Sequence, residues 1–149
     1  MALYFENARP EDKETVFALL QKSQLLTDDL PTDLTGFVMA KEQDTCVGVA
    51  GLEPYGSVAL LRSVAVSPEY QGRHVGTQLV GRVLETARAA GLEEIYLITT
   101  TADRYFVRHG FRPVDRLEVP EAIRQTQQFS DLCPASAVVM KRTVNQNAA

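Results

Sequence analysis

The chain has 149 residues, 45% of them hydrophobic and 23% charged, with a formal net charge of -4. That length suits one domain with a sizeable core, and the acidic balance argues against nucleic acid, whose partners usually carry a basic footprint. No apolar run approaches the ~20 residues a membrane-spanning helix needs, and the first residues lack the basic and apolar segments of a signal peptide. The expected location is the cytoplasm. Cys46 and Cys133 stand far apart, outside any CxxC or Cys/His spacing, which argues against a disulfide framework or a structural zinc site. Each reads as a small apolar residue, and no metal is expected.

Leu3-Tyr4-Phe5 reads as a first strand, and Asn7 to Glu11, with Pro10, as the turn into a helix that carries Val16, Phe17, Leu19 and Leu20 inward. Ser23 to Thr35 mixes leucines with Asp28, Asp29, Pro31 and Asp33, the composition of a loop or a short second helix. Phe37 to Ala40 and Cys46 to Glu53 form a hairpin, and Glu53 to Gly56 the next turn. Leu60 to Val66, aliphatic apart from Arg62 and Ser63, predicts a largely buried strand ended by Pro68. After Thr77, the residues Leu79, Val80, Val83, Leu84 and Ala87 recur on one face of a helix that stops at Gly91.

Glu94 to Thr99 is too apolar for an exposed sheet face and predicts a central strand. Thr100-Thr101-Ala102-Asp103 has capping-box spacing before a helix from Ala102 to His109, stopped by Gly110. Phe111 to Val114 is extended, Pro120 to Gln125 a short helix, Phe129 to Pro134 a loop and Ala135 to Lys141 the last strand. The expected organisation is one domain over residues 1–142 with a polar tail over 143–149.

A strand feeding a glycine-containing loop that opens a helix is an anion trap, because the first helical amides lack intrahelical partners and lie at the positive end of the dipole. The stretch from Leu60 to Thr77 has this form. It lacks the Gly-Lys-Ser/Thr ending of a nucleoside triphosphate loop and the Gly-x-Gly-x-x-Gly of a dinucleotide fold, which disfavours a nucleotide-binding reading.

The motif that remains, Gln71-x-x-His74-x-Gly76 within Gln71-Gly72-Arg73-His74-Val75-Gly76-Thr77, resembles the Gln/Arg-x-x-Gly-x-Gly/Ala loop of the Gcn5-related N-acetyltransferase superfamily. In that superfamily the loop binds the pyrophosphate of acetyl-coenzyme A. One departure stands out: the pattern's first glycine is His74, and histidine enters the left-handed region less readily than glycine. Tyr105 to Phe111, closing on Gly110-Phe111, resembles the superfamily's fourth helix and its Gly-Phe end. Val119 to Arg124, with Ser130-x-x-Cys133-Pro134, resembles the branch of arsenic-resistance-type, or amino-acid, N-acetyltransferases. The resemblance covers residues 45–115 closely and the amino-terminal part loosely.

It implies an α/β (α+β) fold whose mixed, mostly antiparallel central sheet is splayed between strands 4 and 5 and flanked by about four helices. It also implies acetyl-coenzyme A as cosubstrate and a small-molecule amine as acceptor, an amino acid or an arsenical amino-acid analogue, in a monomer or homodimer. By correspondence, residues 71–77 hold the pyrophosphate, the backbone of Val64, Ala65 and Val66 holds the pantetheine arm, and Phe106 lines the cofactor groove. The amide of Val64 would donate to the thioester oxygen. Many relatives carry a glutamate on the strand that Leu60 to Val66 forms here; this stretch has no carboxylate, so Glu53 is the substitute base.

The relatives' acid, a tyrosine, falls on Phe106. Tyr105 is a candidate acid one position earlier, about 100° around the helix. Arg62 has two readings, a bidentate partner for a substrate carboxylate or the partner of a neighbouring acid. Arg124 and Ser130 are further acceptor-binding candidates. A second function class is a cofactor-binding module that keeps the groove without the chemistry.

Overall fold

The computed structural model describes residues 3–23, 25, 27, 30–31, 33–100, 102–126, 129 and 137–145. Among the described residues seven strands form one mixed sheet in the order β1-β2-β3-β4-β5-β7-β6. They are β1 (Leu3–Asn7), β2 (Phe37–Glu42), β3 (Thr45–Tyr55), β4 (Val58–Val66), β5 (Glu94–Thr99), β6 (Arg112–Pro113) and β7 (Val138–Thr143). The α-helices among the described residues are α1 (Lys13–Lys22), α2 (Val75–Ala89), α3 (Asp103–Val107) and α4 (Glu121–Arg124). No helix among the described residues is long and apolar enough to cross a membrane. The chain divides into two compact units built from interleaved segments, Met1–Leu52 with Ser63–Val83 and Glu53–Arg62 with Leu84–Ala149.

In the first unit β1, β2 and β3 pair antiparallel, with a bulge between Ala40 and Lys41. Val16, Leu19 and Leu20 of α1 pack with Leu30, Leu34, Phe37, Met39, Val49 and Ala65. Phe17 does not join them and is 39% exposed. It lies about 100° from Val16 around the helix, off the stripe that Val16, Leu19 and Leu20 make at i, i+3 and i+4. Two glycines permit close backbone approaches. A Cβ on Gly36 (φ +86) would lie 2.2 Å from the Leu52 carbonyl oxygen, and Leu52 N donates to Gly36 O at 2.9 Å. A Cβ on Gly48 would meet Leu79 Cδ1 at 2.9 Å, Val75 Cγ1 at 3.2 Å and Ala65 O at 3.3 Å. The first turns of α2 therefore lie directly on β3.

In the second unit β4 runs parallel to β5 over three pairs, Val58↔Glu94, Ala59↔Ile95 and Leu60↔Tyr96. The ladder stops there although β5 continues to Thr99 and pairs with β7 along its whole length. This is the parting of strands 4 and 5 that the resemblance implies. Leu60, Tyr96, Val119, Ile123 and Val139 form the core. Three sequence expectations are corrected in this unit. The turn after β3 is Gly56–Ser57, not Glu53–Gly56: Gly56 supplies the positive φ (+69), and Pro54 stays in an exposed strand position, where a missing donor costs little. Thr100 does not cap α3; the Thr99 hydroxyl accepts from Ala102 N at 2.9 Å. The last strand begins at Val138 and reaches Thr143, and the following Val144 is fully buried.

Helices α2 and α3 end alike. Leu92 N reaches Ala87 O at 3.0 Å and Gly91 N reaches Arg88 O at 3.1 Å; Phe111 N reaches Phe106 O and Gly110 N reaches Val107 O, both at 3.1 Å. Each is a Schellman closure with glycine in the left-handed position, φ +75 at Gly91 and +86 at Gly110. The apolar contact that accompanies such a closure is Phe106 against Phe111, ring centroids 5.8 Å apart.

Candidate active site

The first unit carries the glycine-containing loop between β4 and α2. Ser67, just past β4, donates from its amide to Val47 O at 2.9 Å, which fixes where the chain leaves the sheet. A 3-10 turn, Pro68–Tyr70, follows, closed by Tyr70 N to Ser67 O at 2.9 Å and Gln71 N to Pro68 O at 3.3 Å. The Gln71 side chain turns back, its Nε2 donating to Val66 O at 3.1 Å. Gly72 (φ +81) and His74 (φ +64) both take left-handed conformations. His74 thus adopts the backbone that glycine supplies in the resembling loop. Its carbonyl accepts the first helical bond, from Gln78 N at 3.1 Å, so the amides of Val75, Gly76 and Thr77 precede the ladder of α2.

Gln71 to His74 are exposed, and the space where a Gly72 Cβ would stand is open. An anion can therefore approach the backbone without displacing side chains. Arg73 lies over the Tyr70 ring, Cζ 5.3 Å from its centroid. The Tyr70 hydroxyl donates to Glu42 Oε1, and that carboxylate raises the phenol above its usual range. Neither Tyr70 nor Glu42 figured in the sequence reading. They are 28 residues apart, and only the adjacency of Tyr70 to Gln71 pointed toward the loop.

Upstream of the loop, β4 contains Ser63 at φ +58, a left-handed residue within a strand. Ala59 through Ser63 are all buried, and beyond the irregularity Val64, Ala65 and Val66 alternate half-buried, buried, half-buried. A left-handed residue shifts the phase of a strand's two faces, as a bulge does. Cys46 donates from Sγ to Gly48 O at 3.3 Å, and burial raises its thiol. Cys133 lies outside the described residues.

The second unit brings Arg62 and Glu53 together. The Arg62 side chain is fully buried, and its Nη1 lies 3.6 Å from Glu53 Oε2. Glu53 is 21% exposed and accepts from the Tyr55 hydroxyl at 3.5 Å. Of the two readings of Arg62, pairing with a neighbouring acid is therefore met, by Glu53 itself. Tyr105 sits on α3 between aromatic neighbours, 5.1 Å from the Phe106 ring and 4.7 Å from that of His109. Phe106 is 7% exposed and packs on Phe111. Arg142 Nη1 donates to His109 O at 2.5 Å, and burial, with Arg108 and Arg142 nearby, lowers the His109 imidazole from its usual value. Arg124 is exposed at the end of α4. Ser130 lies outside the described residues.

Comparison with known proteins adds three findings. The model of the Acetyltransferase (GNAT) family matches residues 2–111. Amino-acid acetyltransferase of Escherichia coli K12 is 26% identical over 126 residues, which is 83% of this chain and 27% of that protein. That of Edwardsiella ictaluri is 27% identical over 115 residues, 76% of this chain and 25% of that protein. The chain spans about a quarter of the length of these relatives. Among solved structures, N-acetylglutamate synthase from Neisseria gonorrhoeae, complexed with coenzyme A and N-acetyl-glutamate, superposes with a TM-score of 0.85 at 18% identity, over 98% of this chain and 36% of the other. Rv2747 from Mycobacterium tuberculosis, in complex with CoA and NLQ, has a TM-score of 0.80 at 23% identity, over 94% of this chain and 98% of the other.

Proposed function

The chain belongs to the acetyltransferase (GNAT) family, and from that premise we propose that it transfers the acetyl group of acetyl-coenzyme A to the amine of a small amino acid. The observation that carries the reading is the loop at the end of β4: two left-handed residues, Gly72 and His74, turn the chain into α2 and leave the first helical amides ahead of its ladder. Those amides and Arg73 would hold the diphosphate. The cosubstrate brings an acyl group already activated as a thioester. The chain's own residues supply the rest.

We assign the amide of Val64, next to the left-handed Ser63, as the donor that stabilises the oxyanion formed when the amine attacks the thioester carbon. Val64 to Val66 offer their backbone to the pantetheine arm, and Phe106 is assigned to the cofactor by its correspondence with the family's fourth helix. Glu53 takes the proton of the attacking amine, directly or through water. Arg62, whose planar fork suits a carboxylate, orients the acceptor while balancing Glu53, so a buried cation beside a partly exposed anion faces a zwitterion. Arg124 and Ser130 are further acceptor contacts. Tyr105 or solvent returns a proton to the leaving thiolate. Similarity to amino-acid acetyltransferases supports the acceptor class. An arsenical amino-acid analogue is a narrower version of the same acceptor.

Thiol release from acetyl-coenzyme A, followed across a panel of amino acids, other small amines and arsenical analogues, tests the reading. The expected result is turnover confined to a few amino acids and their analogues. Absence of any heat on titrating coenzyme A into the protein would refute it. One observation favours a second reading, a cofactor-binding module: Phe106 has no hydroxyl to offer a thiolate and is buried on Phe111. Coenzyme A binding without turnover of any amine would select that reading.

A further inference from the structure

Residues in a left-handed conformation other than glycine persist where their surroundings hold them, and His74 is one in a loop whose residues Gln71 to His74 are exposed. Side-chain packing does not hold this loop, so hydrogen bonds must. On one side Gln71 Nε2 ties it to Val66 O at 3.1 Å. On the other, Tyr70 reaches across to the end of β2, where its hydroxyl donates to Glu42 Oε1.

Glu42 is a firm anchor. Its backbone lies between two partners in the sheet, Leu3 of β1 and Thr45 of β3. The turn that follows it contains Gln43 at φ +55, whose carbonyl is itself held by the Tyr4 hydroxyl. A carboxylate acceptor keeps the Tyr70 hydroxyl a donor, consistent with the upward displacement of that phenol. The Tyr70 ring then carries the Arg73 guanidinium at cation–π distance, 5.3 Å.

We propose that Glu42 and Tyr70 are positioning residues for the cofactor loop. The hairpin tip holds Tyr70, Tyr70 holds Arg73 and the turn before Gln71, and the loop is thereby preorganised for the diphosphate. This inference rests on the acetyl-coenzyme A reading above. Preorganisation by a charge-assisted hydrogen bond predicts a defect in cofactor affinity, not in folding.

Coenzyme A is titrated calorimetrically into the wild type, Tyr70→Phe, Glu42→Ala and Glu42→Gln, with melting temperatures and amide hydrogen exchange measured alongside. Tyr70→Phe and Glu42→Ala should each weaken binding about tenfold and speed exchange of the Gly72 to Gly76 amides, while melting within about 2 °C of the wild type. Glu42→Gln keeps an oxygen for the Tyr70 hydroxyl and should bind within about twofold of the wild type. Unchanged affinity in Tyr70→Phe and Glu42→Ala beside a wild type that binds overturns this inference alone. Loss of affinity that tracks loss of melting temperature in every variant, Glu42→Gln included, overturns it as well. No binding by the wild type overturns the cofactor reading and this inference with it.

Discussion

Arg62 and Glu53 show what one side chain decides. An arginine in an aliphatic strand was legible as an oddity, but its partner was not, because the spacing across neighbouring strands is absent from a linear text. The pair closes to 3.6 Å with the guanidinium wholly buried. Arg62→Lys keeps the charge and loses the planar fork. It should raise the KM for the proposed amino-acid acceptor about tenfold and leave the KM for acetyl-coenzyme A within about twofold, which steady-state kinetics on both substrates will measure. Glu53→Gln should instead lower kcat by a factor on the order of 100 while coenzyme A still binds.

His109 makes a separate prediction. Burial, with Arg108 and Arg142 close by, depresses its folded-state value below the 6.5 of an unperturbed imidazole. The unfolded chain therefore binds the proton more readily. The contribution of His109 to stability is whole above 6.5 and is lost as the pH falls from there through the depressed folded value. The melting temperature should drop between about pH 7.5 and 5.5, and His109→Gln should flatten part of that slope. A slope identical to the wild type would contradict it.

At the level of elements, strands and helices were readable where periodicity was strong. The face of α2 came through, with Leu79, Val80, Val83 and Ala87 buried and Leu84 half-buried, as did the glycine stops. Boundaries set by a single φ were harder to read. Pro54 suggested a turn, yet the positive φ of Gly56 places the turn at Gly56–Ser57. Thr100 had the right spacing for a cap, yet Thr99 is the residue whose hydroxyl meets the free amide.

Two glycines with similar backbones should answer differently to one substitution. At Gly91 (φ +75) a Cβ meets nothing within 4 Å, so Gly91→Ala should cost only the left-handed penalty, about 1 kcal/mol. At Gly36 (φ +86) the Cβ would collide with the Leu52 carbonyl oxygen at 2.2 Å, and Gly36→Ala should cost about 2–4 kcal/mol. Urea unfolding of both variants, with comparable slopes, will separate strain from collision.

For the whole molecule, the loop motif at Gln71 to Gly76 led to the family, because its meaning depends on order along the chain and not on distant contacts. Family membership in turn carried the mixed sheet and its parting after Leu60↔Tyr96. What stayed illegible was the network around the loop, since Glu42 and Tyr70 meet only once three strands have been laid side by side. A ligand that binds the native state alone stabilises it by about 2.7 kcal/mol at a hundredfold excess over its Kd. For a protein of this size coenzyme A should therefore raise the melting temperature by roughly 5–11 °C. A thermal scan with and without coenzyme A is the check, and equal curves would contradict the expectation.

The way the two units share the chain bears on how the protein is born. The first takes residues from both sides of a ten-residue stretch that belongs to the second, and the division falls inside β3, inside β4 and again inside α2. During synthesis the earlier unit lacks its closing segment until residue 83 has emerged, by which time part of the later unit has already been made. No single cut through the gene will separate the two units cleanly, because any break that keeps all the pieces of one carries off a segment of the other.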